Sequence, residues 1–154
     1  MKKIFFILGI LLLTGFTLYY YYSKHSTMEQ SKIIFTEKAP KPIGPYSQAV
    51  MRGNALFVSG QIAIVPSTGE LDTSSIEKET QQVMENIKAV VEASGLKMSD
   101  VVKSSIFLID MKNFAKVNEV YGKYFTENPP ARETVQVSGL PKNVNVEISV
   151  IAIR

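Results

Sequence analysis

The sequence of 154 residues contains no cysteine, no tryptophan and a single histidine. Without cysteine the chain has no disulfide, no cysteine-bound zinc or iron–sulfur centre and no thiol nucleophile. The one histidine, His25, lies in a polar segment ahead of the domain, which excludes histidine acid–base chemistry and a serine–histidine triad from the domain itself. Any activity must therefore come from carboxylates, arginine, tyrosine and small polar side chains.

The formal net charge of +3 does not belong to the domain. Three of the 17 cations, Lys2, Lys3 and Lys24, precede Glu29, which is the first acidic residue. The 14 lysines and arginines that follow balance the 14 acidic residues. A neutral domain gains no counterion-release energy from a phosphate backbone, so we expect no nucleic-acid partner.

Residues 1–22 form a hydrophobic leader, in which an uncharged apolar run over 4–22 ends in four tyrosines. As a helix this run extends about 28 Å, close to the bilayer core of about 30 Å. It predicts a transmembrane anchor that holds the domain outside the cytoplasm, because Lys2 and Lys3 precede it. The alternative is a signal peptide cleaved around residues 23–25, which leaves a secreted or periplasmic domain. Residues 23–31 are predicted to be a linker and residues 32–154 one domain.

Apolar periodicity predicts the element order β-β-β-α-β-α-β-β for the domain. The clearest element is a helix from Ile76 to Leu96, with a capping box at Ser74 and Glu77 and a stop at Gly95. A second helix is predicted over 113–126. Strands are predicted over 32–35, 47–51, 55–59, 101–109, 133–137 and 144–153.

The helices are too few to cover both faces of the sheet. Two helices cover one face of a sheet of about six strands. The last strand is apolar on both faces, since the alternating series from Val144 to Ala152 is interleaved with Ile151 and Ile153. We therefore expect the uncovered face to pack against further copies of the chain, and we predict a homo-oligomer.

Four side chains are candidates for chemistry, each with a structural alternative. Arg132 follows a Pro-Pro-Ala turn; a guanidinium held there is a good receptor for a carboxylate, and a surface arginine is the alternative. Glu147 interrupts an apolar strand, so it either faces solvent or, half-buried beside Arg132, orients or deprotonates a water molecule. Tyr46 either lines a pocket or packs in the core. Asn118 is either a pocket residue or an exposed one.

Four motifs occur in the order and approximate spacing of one protein family: IGPYSQAV (43–50), SGQI (59–62), PAR (130–132) and VEI-x-x-IA (146–152). Nearly all of residues 32–154 resembles the RidA/YjgF family of enamine/imine deaminases. The resemblance implies a chorismate-mutase-like α/β (α+β) fold, with a six-stranded mixed sheet and two helices on one face. It also implies a homotrimer around a central barrel, with three sites at the subunit clefts. The implied reaction converts 2-iminobutyrate or 2-iminopropanoate to the 2-oxo acid and ammonia, without metal or organic cofactor.

The resemblance also assigns site residues by position. It implies that Arg132 binds the substrate carboxylate and that Glu147 acts on the attacking water. The other substrate-binding positions it implies are Tyr46, Ser59, Gly60, Asn118 and Thr134. Glu133 and Thr134 depart from common family usage, which has a small hydroxyl residue and often cysteine there. Glu133 weakens binding of an anionic substrate if it points into the site, whereas strand alternation allows it to point away.

Two other functions stay open on the sequence. The hydrophobic leader favours a non-catalytic module that binds a small carboxylate or a partner protein, because the dehydratases that release these imines are cytosolic. An endoribonuclease or translation-inhibitor activity is ascribed to some relatives. The neutral domain and the lack of a histidine pair argue against that activity here.

Overall fold

A computed structural model describes residues 14–20 and 30–154. The chain divides into two compact units, Met1–Gln30 and Ser31–Arg154. The second unit contains six strands and two α-helices in the predicted order. The strands are β1 (Lys32–Ile34), β2 (Ala49–Arg52), β3 (Ala55–Gln61), β4 (Val101–Leu108), β5 (Ala131–Gln136) and β6 (Val146–Ile153), and the helices are α1 (Ile76–Ala93) and α2 (Phe114–Gly122).

The strands form one mixed sheet in the order β1-β2-β3-β6-β4-β5. Strands β4 and β5 are parallel, with Ser104 opposite Arg132, and the other neighbours are antiparallel. Both helices lie on one face, because α1 packs on β3 and β6 while Tyr121 of α2 reaches Ser104 of β4. These features confirm the predicted α+β fold class.

Helix α1 presents a buried stripe at helical spacing to the sheet. Its buried residues include Thr80, Val83, Met84, Ile87, Val90 and Val91. Alternate residues of β6, from Val146 to Ala152, are buried on the same side. Burial of one such side chain contributes about 1.5–3 kcal/mol, so a one-residue slip of β6 is strongly disfavoured. The burial therefore also determines that Glu147 points away from the helices.

The sheet face without helices carries apolar side chains that are exposed in the single chain. Ile33, Phe57 and Ile153 are 67%, 49% and 41% exposed. Ile33 pairs with Val50, Val50 with Phe57 and Phe57 with Ile151, so these side chains belong to one surface. Large exposed apolar surfaces of this kind are typical of interaction sites.

The start of α1 differs from the prediction by one residue. The N-cap is Ser75, whose hydroxyl accepts the Lys78 N–H at 3.2 Å. Ser74, the predicted cap, instead donates to Asp72 Oδ1 at 2.6 Å, so its hydroxyl is engaged before the helix begins. The predicted stop is confirmed, because Gly95 has φ 85°, the left-handed conformation that glycine favours after a helix.

The predicted localisation, a domain anchored in the membrane by residues 4–22, is contradicted. In the part of the chain that the structure describes, no helix has both the length and the apolar character needed to cross a membrane. Within the predicted span the described residues are 14–20, which are helical. Residues 4–13 and 21–22 of the span, and the cleavage site placed at 23–25, lie outside the described residues.

Candidate active site

Arg132 lies at the start of β5, on the side of the sheet that carries the helices. Its Nη1 donates to Asn118 Oδ1 at 2.7 Å. Its Cζ lies 5.0 Å from the ring centre of Tyr121 and 5.8 Å from that of Phe114. The amide and the two rings share one face of α2, because they follow one another at intervals of three and four residues. One hydrogen bond and two cation–π contacts therefore hold the guanidinium.

The Arg132 guanidinium keeps most of its hydrogen-bonding capacity. It has five N–H donors, and within the described chain the contact with Asn118 is its one hydrogen bond. Thr134, two residues further along β5, lies on the same side of the sheet, and its buried Oγ1 has no hydrogen-bond partner among the described residues. A buried polar atom left unpaired costs about 1–3 kcal/mol. Both groups are therefore suited to a ligand with oxygen acceptors, such as a carboxylate.

The other predicted site residues line a pocket of about 230 Å³. Its lining consists of Ile43, Tyr46, Ser59, Gly60, Ile62, Pro141 and Glu147. Burial raises the pKa of the Glu147 carboxyl above its ordinary value of 4.5. A carboxylate with a raised pKa is a better proton acceptor from water. Nowhere in residues 14–20 and 30–154 do three or more His, Cys, Asp or Glu side chains gather where they could hold a metal ion.

Gly60 leaves the space that the Glu147 carboxylate occupies. A Cβ atom on Gly60 would overlap Glu147 Oε1 and lie 2.8 Å from Glu147 Cδ. Gly60 is not among the residues with positive φ, so the position requires space rather than an unusual backbone conformation. The glycine of the SGQI motif therefore allows the carboxylate to lie directly against β3.

The proline-rich loop before β2 positions Tyr46 at this pocket. The Tyr46 hydroxyl accepts the Ile43 N–H at 3.2 Å, and the residue is 45% exposed. Ser59 Oγ donates to the carbonyl of Ser47 at 2.7 Å, which ties β3 to the end of the loop. The Ser59 hydroxyl therefore donates its proton to the loop, and its oxygen can still accept a hydrogen bond in the pocket.

Two buried polar residues that the sequence analysis did not single out support the pocket. Gln48 Nε2 lies within hydrogen-bond distance, at 2.8 to 3.2 Å, of three carbonyl oxygens of the segment between β1 and β2. Glu79 of α1 is fully buried and accepts the N–H groups of Asn145 and Val146 at 2.6 and 3.3 Å, directly before Glu147. The sequence carries a signal for Glu79, which lies in the apolar stripe of α1, and none for Gln48.

Arg132 and Glu147 do not lie side by side in one chain. In the β4 register Arg132 pairs with Ser104 and Glu147 with Phe107, three positions away. Because successive residues of a strand alternate faces, the two side chains lie on opposite faces of the sheet. Within one chain, therefore, the half-buried Glu147 is not beside Arg132, which is one of the two alternatives stated for it from the sequence. One chain thus brings Asn118 to Arg132 on the helix side, and Tyr46, Ser59 and Gly60 to Glu147 in the pocket.

Glu133 points away from Arg132, as strand alternation allows. Its carboxylate contacts Lys103 Nζ and Ser105 Oγ on the sheet face without helices. The hydrogen bond from Lys103 lowers the pKa of Glu133 below its ordinary value of 4.5. The additional negative charge is therefore paired, on the opposite side of the sheet from the guanidinium.

The mixed six-stranded sheet with helices on one face identifies the chain as a small α+β protein whose fold is shared by solved structures. TdcF of Escherichia coli, in a crystal structure with bound serine, matches with a TM-score of 0.77 and 44% identity, over 80% of this chain and 98% of that chain. The model of the protein family described as endoribonuclease L-PSP matches residues 36–154. The chain belongs to this family, which confirms its resemblance to RidA/YjgF proteins.

Of two similar proteins, one is named only by its family and the other by an enzymatic activity. A RutC family protein of Saccharolobus solfataricus is 59% identical over 121 residues, which cover 79% of this chain and 96% of the relative. A 2-iminobutanoate/2-iminopropanoate deaminase of Dermatophagoides farinae is 51% identical over 126 residues, which cover 82% of this chain and 98% of the relative. The similarity therefore extends over nearly the whole length of these relatives and is not confined to the motifs.

Proposed function

We propose that the domain hydrolyses short 2-imino acids, such as 2-iminobutyrate and 2-iminopropanoate, to the 2-oxo acid and ammonia. The observation that carries this proposal is the Arg132 guanidinium, which Asn118 and two aromatic rings hold while most of its donors stay open. A guanidinium held in this way suits bidentate binding of a carboxylate. Family membership and the deaminase name of a 51% identical relative support the same reaction.

The reaction requires few groups from the protein. Water adds to C2 of the protonated imine, and Glu147 accepts one of its protons as the C–O bond forms. The C–N bond then breaks, and both water protons end on nitrogen, so the products are a ketone and an ammonium ion. Since imines already hydrolyse in water, orientation of the carboxylate by Arg132 and of the water by Glu147 accounts for the rate gain.

The same proposal includes a homotrimer in which Arg132 of one protomer completes the Glu147 pocket of its neighbour. The pocket lining offers a carboxylate but no cation for the carboxylate of a substrate. Within one chain the guanidinium lies on the opposite face of the sheet. The exposed apolar surface around Phe57 supports burial of the uncovered face against further copies of the chain.

The test is ammonia release by the full-length chain from 2-iminobutyrate, which a pyridoxal-phosphate dehydratase supplies. We expect Arg132→Ala to lower kcat/KM about 10- to 100-fold, because a charge-assisted hydrogen bond contributes about 1.5–3 kcal/mol. Arg52→Ala is the matched control, since Arg52 is an exposed arginine at the end of β2. A wild-type rate equal to the uncatalysed rate would contradict the proposal.

A non-catalytic module that binds a small carboxylate is the second candidate. The serine bound to TdcF, a 44% identical relative, favours it. Titration with 2-oxobutyrate separates the two candidates: binding without faster imine loss supports the module, whereas faster loss supports the deaminase. RNA incubated with the same proteins is a further control, and cleavage that Arg132→Ala abolishes would favour a ribonuclease instead.

A further inference from the structure

We propose that Tyr121 is a positioning residue for Arg132 and that Ser104 in turn fixes Tyr121. This inference rests on the proposed function, in which Arg132 binds a carboxylate. Tyr121 is 4% exposed, and its ring centre is the nearer of the two that face the guanidinium, at 5.0 Å from Arg132 Cζ. The other ring, that of Phe114, is 5.8 Å away and belongs to a residue that is 38% exposed.

The hydroxyl of Tyr121 anchors its ring to the sheet. It donates to Ser104 Oγ at 2.9 Å, and Ser104 is fully buried in β4. In the register of β4 and β5, Ser104 lies directly opposite Arg132. The anchor of the ring and the backbone of Arg132 are therefore paired positions of two hydrogen-bonded strands. This arrangement fixes where the ring lies relative to the arginine.

A second aromatic ring supports Tyr121. The ring centre of Phe125 lies 4.7 Å from that of Tyr121, with the two planes tilted by 40°. Tilted pairs at this distance are favourable for aromatic rings. Burial also raises the pKa of Tyr121, so its hydroxyl keeps its proton and continues to donate to Ser104. The ring is thus held by a hydrogen bond, a ring contact and burial.

A fixed ring determines the plane of the guanidinium. The single hydrogen bond from Nη1 to Asn118 allows the group to rotate about that contact, whereas a ring against its face restricts the plane. The plane decides whether two N–H groups point at both oxygens of a carboxylate. An arginine that is fixed in advance also loses less freedom on binding. Loss of the ring should therefore weaken substrate binding and leave proton transfer at Glu147 unchanged.

The first test is Tyr121→Leu in the full-length chain. We expect KM for 2-iminobutyrate and Kd for 2-oxobutyrate to rise about tenfold, with kcat changed less than about twofold. Tyr121→Phe keeps the ring but loses the hydrogen bond to Ser104, so both constants should rise by a smaller factor, about threefold. Tyr124→Leu is the matched control: Tyr124 bonds Glu85 and not Arg132, so both constants should be unchanged. An unchanged Kd in folded Tyr121→Leu, or a fall in kcat alone, would overturn the inference.

Two further measurements test the inference if Tyr121→Leu, which removes a buried ring, does not fold. Phe114→Leu removes the half-exposed ring, and we expect KM to rise about threefold. The NMR signal of the Arg132 Nε–H in the wild-type chain should differ from that of exposed arginines and exchange slowly with water. A signal like that of an exposed arginine would overturn the inference. Failure of Arg132→Ala to change Kd would instead refute the proposed function, so the two failures are distinguishable.

Discussion

The two halves of the candidate site are built in opposite ways. Arg132 is held by side chains, because Asn118 and two rings of α2 contact its guanidinium. Glu147 instead occupies space that Gly60 leaves open. Within residues 30–154, its carboxylate makes no hydrogen bond or ion pair. The cation is thus oriented before any ligand arrives, whereas the carboxylate is left without a partner.

Each arrangement suits the role proposed for its residue. A receptor gains affinity when it is fixed in advance. A general base gains proton affinity when it is poorly solvated, and burial raises the pKa of Glu147. Direct pairing with Arg132 would lower that pKa and occupy the guanidinium. Their separation on opposite faces of one sheet prevents this pairing within a chain.

A mixture of two impaired variants gives the largest expected effect and tests whether the halves belong to neighbouring protomers. Arg132→Ala, with kcat/KM lowered about 10- to 100-fold, and Glu147→Gln, which lacks the proton acceptor, are each expected to keep at most about a tenth of wild-type activity. After both are unfolded and refolded together, about a quarter of wild-type activity should return, because random trimers pair an intact Arg132 with an intact Glu147 at about one site in four. Ammonia release measures the recovery, and each variant refolded alone is the control. Mixed trimers without recovery would place both halves in one protomer.

Gly60→Ala should damage the Glu147 half and leave the arginine half intact. The new Cβ would overlap the carboxylate, which must move, so we expect kcat to fall about 10- to 100-fold. Kd for 2-oxobutyrate should change little, because Arg132 is untouched. Gly122→Ala is the control, since a Cβ there meets nothing within 4 Å. A wild-type kcat in Gly60→Ala would show that the position of the carboxylate is unimportant.

The raised pKa of Glu147 predicts opposite effects of pH on activity and stability. As pH falls through this pKa, kcat/KM should fall, because a protonated carboxyl cannot accept a proton. The folded chain holds the proton more tightly than the unfolded chain. The contribution of Glu147 to the free energy of unfolding therefore decreases as pH rises from the ordinary carboxyl pKa through the raised one.

Glu147→Gln isolates this contribution to stability. At neutral pH the variant should be more stable than wild type, by less than about 1 kcal/mol, because solvent screens a half-exposed carboxylate. Below the ordinary carboxyl pKa the gain should vanish, since both chains are then neutral at this position. Denaturant unfolding at the two pH values measures the difference. An equal gain at both would mean that packing, and not charge, is responsible.

The sequence predicts the elements better than it predicts how the site residues face one another. Apolar periodicity is local, so it predicts the helices and strands, and the motifs locate Arg132 and Glu147. The face on which each lies depends on the register of three strands, which burial along their whole length decides. Tyr121 belongs to the apolar stripe of α2, and no spacing distinguishes a core tyrosine from one that supports a guanidinium. Ser104 likewise cannot be identified as a supporting residue from the sequence, because only its hydrogen bond to Tyr121 shows that role.

Glu133 gives the smallest expected effect and the sharpest test of strand alternation. It follows Arg132 in sequence but pairs with Lys103 on the other face. Screening by salt and this pairing should limit the change in KM for Glu133→Gln to less than about twofold. Thr134→Val, one residue further and on the Arg132 side, should raise KM about fivefold, because the buried Oγ1 is available to a ligand. A marked fall in KM for Glu133→Gln would mean that its charge reaches the guanidinium and that the two faces are wrongly assigned.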